Sequence, residues 1–325
     1  MSDEDHTEAA KPAVRRPRLR RRVMAVFAGL LILVGALALT VRFGVMAPPT
    51  LGMIEARTDG LAIGRLGNLK IEGLRGDLFR SFSIERLTIS DEEGVWLEAR
   101  NIEMTWRYLE LLRRRFHAES LTAEQVSILR RPTLTEKKEE AGGLPVTIVV
   151  DRAALRLALS EAFSYERGLY DVTAQLRIRR QGGGQQGEIH ARSLLHEGDR
   201  LDVVFDIGER RPLLIDVEAV EAQGGAIAGA LGLPADEPFR LAIEADGRSG
   251  EGRFEALART GERTPLQASG RWNGDGAAAR GQVSLTASDL TRPIAARVGP
   301  EVTFDLSGQQ VAQNLYEVTA GLAAE

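Results

Sequence analysis

Residues Tyr170 to Arg179 read YDVTAQLRIR, and their order decides the fold class. Tyr170, Val172, Ala174, Leu176 and Ile178 are apolar, and every residue between them is polar. A period of two places successive side chains on opposite faces of an extended chain. The stretch is therefore a strand with one dry face and one wet face. Leu201, Val203, Phe205 and Ile207 share one face in the same way, as do Phe239, Leu241, Ile243 and Ala245. The pattern recurs at Ile102-Met104-Trp106, Val146-Ile148-Val150, Leu155-Leu157-Leu159, Val283-Leu285-Ala287 and Val302-Phe304-Leu306.

The segments between these runs supply turns. Gly182-Gly183-Gly184, Gly198-Asp199, Gly224-Gly225, Asp246-Gly247 and Asn273 to Gly276 give the positive φ angles of hairpins. Short returns favour antiparallel pairing. Helical signals are few. Arg107 to Arg115 (RYLELLRRR) predicts two turns with Leu109 and Leu112 inward, and Asp289 predicts a cap for a short helix through Ala295 and Arg297. So many amphipathic strands need their dry face covered, and few helices are available to do it. A sandwich, a closed barrel and an open sheet curled around its own dry face all satisfy the pattern.

The N-terminus has a different character. Val23 to Val41 is an uncharged apolar run anchored by Val23, Leu30, Leu33, Leu39 and Val41. Arg15, Arg16, Arg18, Arg20, Arg21 and Arg22 precede it. Its length suits a transmembrane helix, and the arginines place residues 1–22 in the cytoplasm and everything after Arg42 outside. A cleavable signal peptide ending at Ala36-Leu37-Ala38 is the competing reading, but that cut falls inside the apolar run. The expected organisation is a basic tail (1–22), a signal anchor (23–41), a first β region (42–136), a solvated linker at Lys137 to Gly143 and a continuing β region (144–325).

Composition narrows the function. The chain has no cysteine, which excludes thiolate metal sites and cysteine nucleophiles and suits an oxidising compartment. After Arg42 there are 34 Lys/Arg against 42 Asp/Glu, a net of −8 that argues against a nucleic-acid partner. Gly182 to Gly187 (GGGQQG) matches a dinucleotide fingerprint in letters only. A helix must follow such a loop, and here Ile189, Ala191, Ser193 and Leu195 alternate as a strand. His117, His190 and His196 have no helical metal-ligand spacing, so no metal or other cofactor is expected. Asp202 and Asp206 fall on the wet face of their strand, and no arrangement of residues calls for an enzyme. Arg113-Arg114-Arg115 and Arg130-Arg131 read first as a solvated helix face and a strand end, and second as contacts for anionic lipid headgroups. Trp96 and Trp106 are expected in the core.

One resemblance runs through residues 23 to 310. Its pieces are Glu72-Gly73-Leu74 with Gly76 to Phe79, Asp91 to Leu97 (DEEGVWL), Asn101 to Trp106 (NIEMTW), Leu111-Leu112, Arg130-Arg131-Pro132 and Glu221 to Pro234 (EAQGGAIAGALGLP). In this order and spacing they resemble the N-terminal region of the TamB family, the inner-membrane subunits of the translocation and assembly module, within the AsmA-like group and nearest its alphaproteobacterial members. The resemblance implies an inner-membrane anchor and a periplasmic sheet curled into a taco-like groove. It also implies a role in outer-membrane biogenesis: phospholipid transport, support of autotransporter secretion, and partnership with an outer-membrane TamA-like barrel. Family members are usually far longer and carry the partner-binding region at the C-terminus, so contact with the barrel is expected through a region beyond Glu325. On this reading the groove candidates are Val172, Leu176, Ile178, Leu201, Val203, Phe205, Ile207, Leu241 and Ile243. The alternatives are a scaffold that holds unfolded outer-membrane proteins by strand addition, and a spacer that binds no lipid.

Overall fold

The computed structural model describes residue 52 and residues 60–62, 66–133, 146–180, 184–208, 212–223, 225–248, 250–312 and 315–324. The basic tail, the apolar run Val23 to Val41 and the linker Lys137 to Gly143 lie outside the described residues. No helix among the described residues is long and apolar enough to cross a membrane.

The chain is mainly β, and its strands form one sheet. It opens with β1 (Leu61–Ala62), β2 (Asn68–Glu72), β3 (Arg75–Asp77), β4 (Ser81–Asp91), β5 (Gly94–Trp106) and β6 (Arg115–Ile128). Next come β7 (Thr147–Leu159), β8 (Gly168–Ile178), β9 (Gln185–Ser193), β10 (Arg200–Ile207), β11 (Leu213–Glu221) and β12 (Phe239–Arg248). The last are β13 (Glu251–Thr260), β14 (Arg263–Asn273), β15 (Gly276–Ser284), β16 (Glu301–Ala312) and β17 (Leu315–Ala324). From β4 onward each strand pairs with the next in sequence, while β2 and β3 share one edge of β4. Among the described residues no ladder joins β17 back to β1, β2 or β3, so the sheet is open. Every substantial strand–strand contact among the described elements is between ladder neighbours. Among the described residues neither a sandwich nor a closed barrel is formed.

One pairing corrects the antiparallel expectation: β6 and β7 are parallel. The 18 residues between Ile128 and Thr147 are long enough for the crossover that parallel pairing needs, whereas a short turn would forbid it. The sheet thus runs unbroken from the first β region into the second.

Because the other strands reverse direction in turn, every second connection emerges at the same margin. The helices Glu161–Ser164, Ala226–Ala230 and Arg292–Val298 all sit at one margin, with the 194–199 turn, and form a rim. The other margin, at Ile178, Ile207, Arg248 and Asn273, carries no α-helix among the described residues and forms a lip. The last rim helix begins after Thr291 rather than after Asp289, which instead pairs with Arg292 at 2.7 Å. The 107–115 stretch is a 3-10 helix, Tyr108–Arg113, with no buried residue. Leu109 and Leu112 are 60% and 84% exposed, contrary to the inward placement expected of them. Six residues of tight helix present no continuous apolar stripe, so nothing pulls these leucines under.

Candidate functional site

The register turns alternation within strands into rows across them. Val172 of β8 lies opposite Ala191, which lies opposite Leu201, and the row continues through Ala219, Leu241, Ala258, Leu266 and Val283 to Val302. In the other direction it passes through Leu155, Ala123 and Ile102 to Ile84. A second row joins Ala174, Ile189, Val203, Val217 and Ile243, and a third joins Leu176, Gly187, Phe205, Ile215, Ala245 and Phe254. At ~4.8 Å per strand, the unbroken apolar row from β4 to β16 spans about 58 Å, part of it beneath the rim helices.

Large and small residues alternate along the first row, as in Leu201, Ala219, Leu241, Ala258 and Leu266. Each leucine leans over its small neighbours, which keeps the floor level. The third row uses a stronger version of this device. Phe205 lies directly opposite Gly187, and Phe254 opposite Gly270. Phe304 in the second row faces Gly281, and Trp272 near the lip faces Gly252. A methyl carbon built on these glycines falls 2.9, 2.3, 2.6 and 2.2 Å from the facing ring. The rings therefore lie down over bare backbone and cover its hydrogen bonds. Alternation along the chain pointed to Phe205 and Phe304 but not to Phe254, Trp272 or any of the glycine partners, because cross-strand partnership is a matter of register.

The structure brings together all nine predicted groove residues. Val172, Leu176, Ile178, Leu201, Val203, Phe205, Leu241 and Ile243 are half-buried on one face, and Ile207 is exposed at the lip. The rim covers a portion of this face. Leu233, Ala228 and Ile227 pack with Ala219, Phe239 and Ala258, and Ala226 packs with Tyr170, Leu159 and Ala191. Toward β6 and β7 the face is lined by Ala118, Val150 and Ala153, packed with Phe116, Ile148 and Leu176. Trp96 is buried and Trp106 half-buried, with its Nε1 donating to the Leu78 carbonyl at 2.9 Å.

One buried carboxylate ties the rim to the sheet. Glu221, at the end of β11, is 1% exposed. It accepts the Tyr170 hydroxyl (3.1 Å) and the backbone N–H groups of Ile227 and Ala228 (2.7 Å each). Burial pushes its pKa up, against the pull of those three donors. Burial and the Glu221 carboxylate also push the Tyr170 hydroxyl far above its ordinary range. Gly225 is required here, since a methyl there would fall 2.0 Å from the Glu221 carboxyl. Gly229 presses on the Ser164 carbonyl, leaving no room for a side chain between the first two rim helices.

The Arg130-Arg131 pair is committed to this architecture. Arg130 pairs with the enclosed Asp91 carboxylate, which also accepts the N–H groups of Thr133 (2.7 Å) and Glu93 (2.9 Å). The Arg130 hydrogen bond leads in holding Asp91 well below the usual carboxylate range. Arg131 donates to the Gly229 carbonyl at 3.0 Å and lies over the Phe163 and Tyr165 rings.

The outer face is wet and charged. Asp202 meets His190 and Arg192 at 2.7 Å each, and Arg200 reaches Glu218 at 2.6 Å. Burial raises the Asp202 pKa, but Arg192 and His190 outweigh it and hold the group low. His117 is buried between Asp151 (2.8 Å) and Glu110 (3.1 Å). Burial lowers its pKa, and the two carboxylates more than reverse that. Among the described residues no group of three or more His, Asp or Glu is placed to hold a metal ion. Gln185 to Gly187 of the GGGQQG stretch already belong to β9, so a strand rather than a helix stands where a dinucleotide site would need one.

No protein-family model matches the chain, and neither does any curated protein.

Proposed function

We propose that this chain is a non-enzymatic lipid conduit of the TamB type, anchored in the inner membrane with its N-terminus in the cytoplasm and its sheet in the periplasm. The sheet curls around its apolar face, acyl chains lie on the rows, and headgroups stay wet. Solvation drives occupancy, at ~0.8 kcal/mol for each methylene removed from water. The observation that carries this reading is the continuity of the apolar rows across an open sheet, the second and third of which have no second layer on them among the described residues. An ordinary core needs a covering layer, and among the described residues the rim margin supplies one to the first row and not to the other two.

The test is photocrosslinking in cells from position 205, with position 206 on the opposite face as control. Phospholipid adducts at 205 and none at 206 are expected. Adducts from 205 only to neighbouring strands of the same chain overturn the conduit and leave a spacer. A second reading, strand addition by unfolded outer-membrane proteins, is favoured by the outer edge of β17, which has no strand partner among the described residues. Val318 and Leu322 there are 70% and 72% exposed. On that reading proline at Val318 abolishes client capture, and charge on the rows does not.

A further inference from the structure

At the lip, beside the parallel pair, the acidic character of the chain is reversed. Arg113, Arg114 and Arg115 close the 3-10 helix and open β6, while Arg177, Arg179 and Arg180 end β8. The intervening strand β7 begins at Thr147, whose N–H donates to the Arg114 carbonyl (2.9 Å) and whose hydroxyl accepts the Arg180 N–H (3.2 Å). These backbone ties bring the six arginines to one recess of ≈ 570 Å³, which His117 and Val149 also line. Glu110 meets Arg115 at 3.3 Å. Arg113, Arg114, Arg177 and Arg180 have no carboxylate within ion-pair distance among the described residues. Four unpaired guanidinium groups beside two more repel one another, and a multivalent anion relieves that repulsion. Guanidinium forks match phosphate oxygens in pairs.

The other side of the same strand ends is apolar. Phe116, Ile148 and Ile178 lie opposite one another in register, and Phe116 and Ile148 pack, like Leu176, against Ala118, Val150 and Ala153 on the apolar face. A phosphate site thus borders the end of an apolar track. We propose that this arginine recess is a phosphate-binding site that selects anionic phospholipid headgroups at the lip of the trough. The lipid half of this assignment rests on the conduit reading; the phosphate site itself does not.

The test uses the full chain in a neutral detergent, with retained phosphatidylglycerol and phosphatidylcholine counted by native mass spectrometry. The lip variant carries Arg113→Gln, Arg114→Gln, Arg177→Gln and Arg180→Gln. A charge-matched control carries Arg240→Gln, Arg259→Gln, Arg271→Gln and Arg297→Gln. A basic residue at an anionic surface contributes roughly fivefold in affinity, so the lip variant should lose at least tenfold of the preference for phosphatidylglycerol. The control should stay within twofold. Equal preference in the two variants overturns the proposal.

Phosphorus NMR with inorganic phosphate separates the sources. Line broadening by the native chain and not by the lip variant supports the phosphate site. Displacement of phosphatidylglycerol by millimolar phosphate assigns the site to the free anion, and retention assigns it to the headgroup. Phe205→Glu separates the two readings. If no protein retains either lipid but phosphate broadening persists, the trough has failed and the site stands. If neutral lipid is retained and phosphate is not broadened, the site has failed and the trough stands.

Discussion

Phe205 lies over Gly187: the two are paired across β9 and β10, and the ring's Cζ is 2.9 Å from where a Gly187 methyl would stand. The same methyl meets Leu176 Cδ2 at 2.7 Å and the Gln175 carbonyl at 2.8 Å. Gly187→Val therefore has to lift the ring and push adjacent strands apart, at about 1–3 kcal/mol by analogy with overpacked cores. In a Phe205→Ala background some of that strain is gone. The double-mutant coupling should be about 1 kcal/mol, read from urea unfolding of the full chain. Strict additivity would mean that the ring does not rest on the glycine.

Charge on the apolar rows should stop transport, and charge on the wet face should not. Phe205→Glu interrupts the third row at its middle, while Gln175→Glu adds the same charge to an exposed position of β8. Lipid transfer between donor and acceptor vesicles bearing the full chain should fall at least tenfold for the first and change less than twofold for the second. Equal effects would place the lipid path elsewhere.

Glu221 makes rim stability depend on pH. Its pKa is raised on folding, so the folded state holds the proton more tightly than the unfolded chain. That contribution is fully present below the ordinary glutamate pKa and is lost as pH rises through the raised value. Glu221→Gln does not titrate there and gives up one acceptor, at about 1–2 kcal/mol. The Tm of the native chain should exceed that of the variant most at acid pH, and the gap should narrow toward neutrality. A widening gap would show that the ionised carboxylate is the favoured form. Glu221→Ala strands the Tyr170 hydroxyl and two backbone N–H groups, and should lower stability by about 2 kcal/mol or more.

Asp91 has the opposite sign. Its pKa is depressed on folding, so its contribution is present above the ordinary aspartate range and is lost as pH falls through the depressed value. Asp91→Asn should lower the Tm at pH 7, and the difference from the native chain should shrink on acidification below pH 4. A constant difference would mean that the Arg130 pairing carries no net charge effect.

Strand identity and face were determined by the sequence alone. In Tyr170 to Ile178 or Leu201 to Ile207 a period of two admits one conformation, and that reading put the nine groove candidates on one face. Even the change of phase between Ile148-Val150 and Leu155-Leu157 was written there. The two runs are one strand, and a register shift between Val150 and Ala153 returns both to the same face. Tertiary structure decided what depends on pairing: the parallel β6–β7 step, the glycine beneath each ring, Glu221 under the rim, and six arginines from two distant segments in one recess. The physical reason is range. Alternation is set by neighbouring peptide units, whereas register and burial follow from long-range contacts between strands that the order of residues does not display.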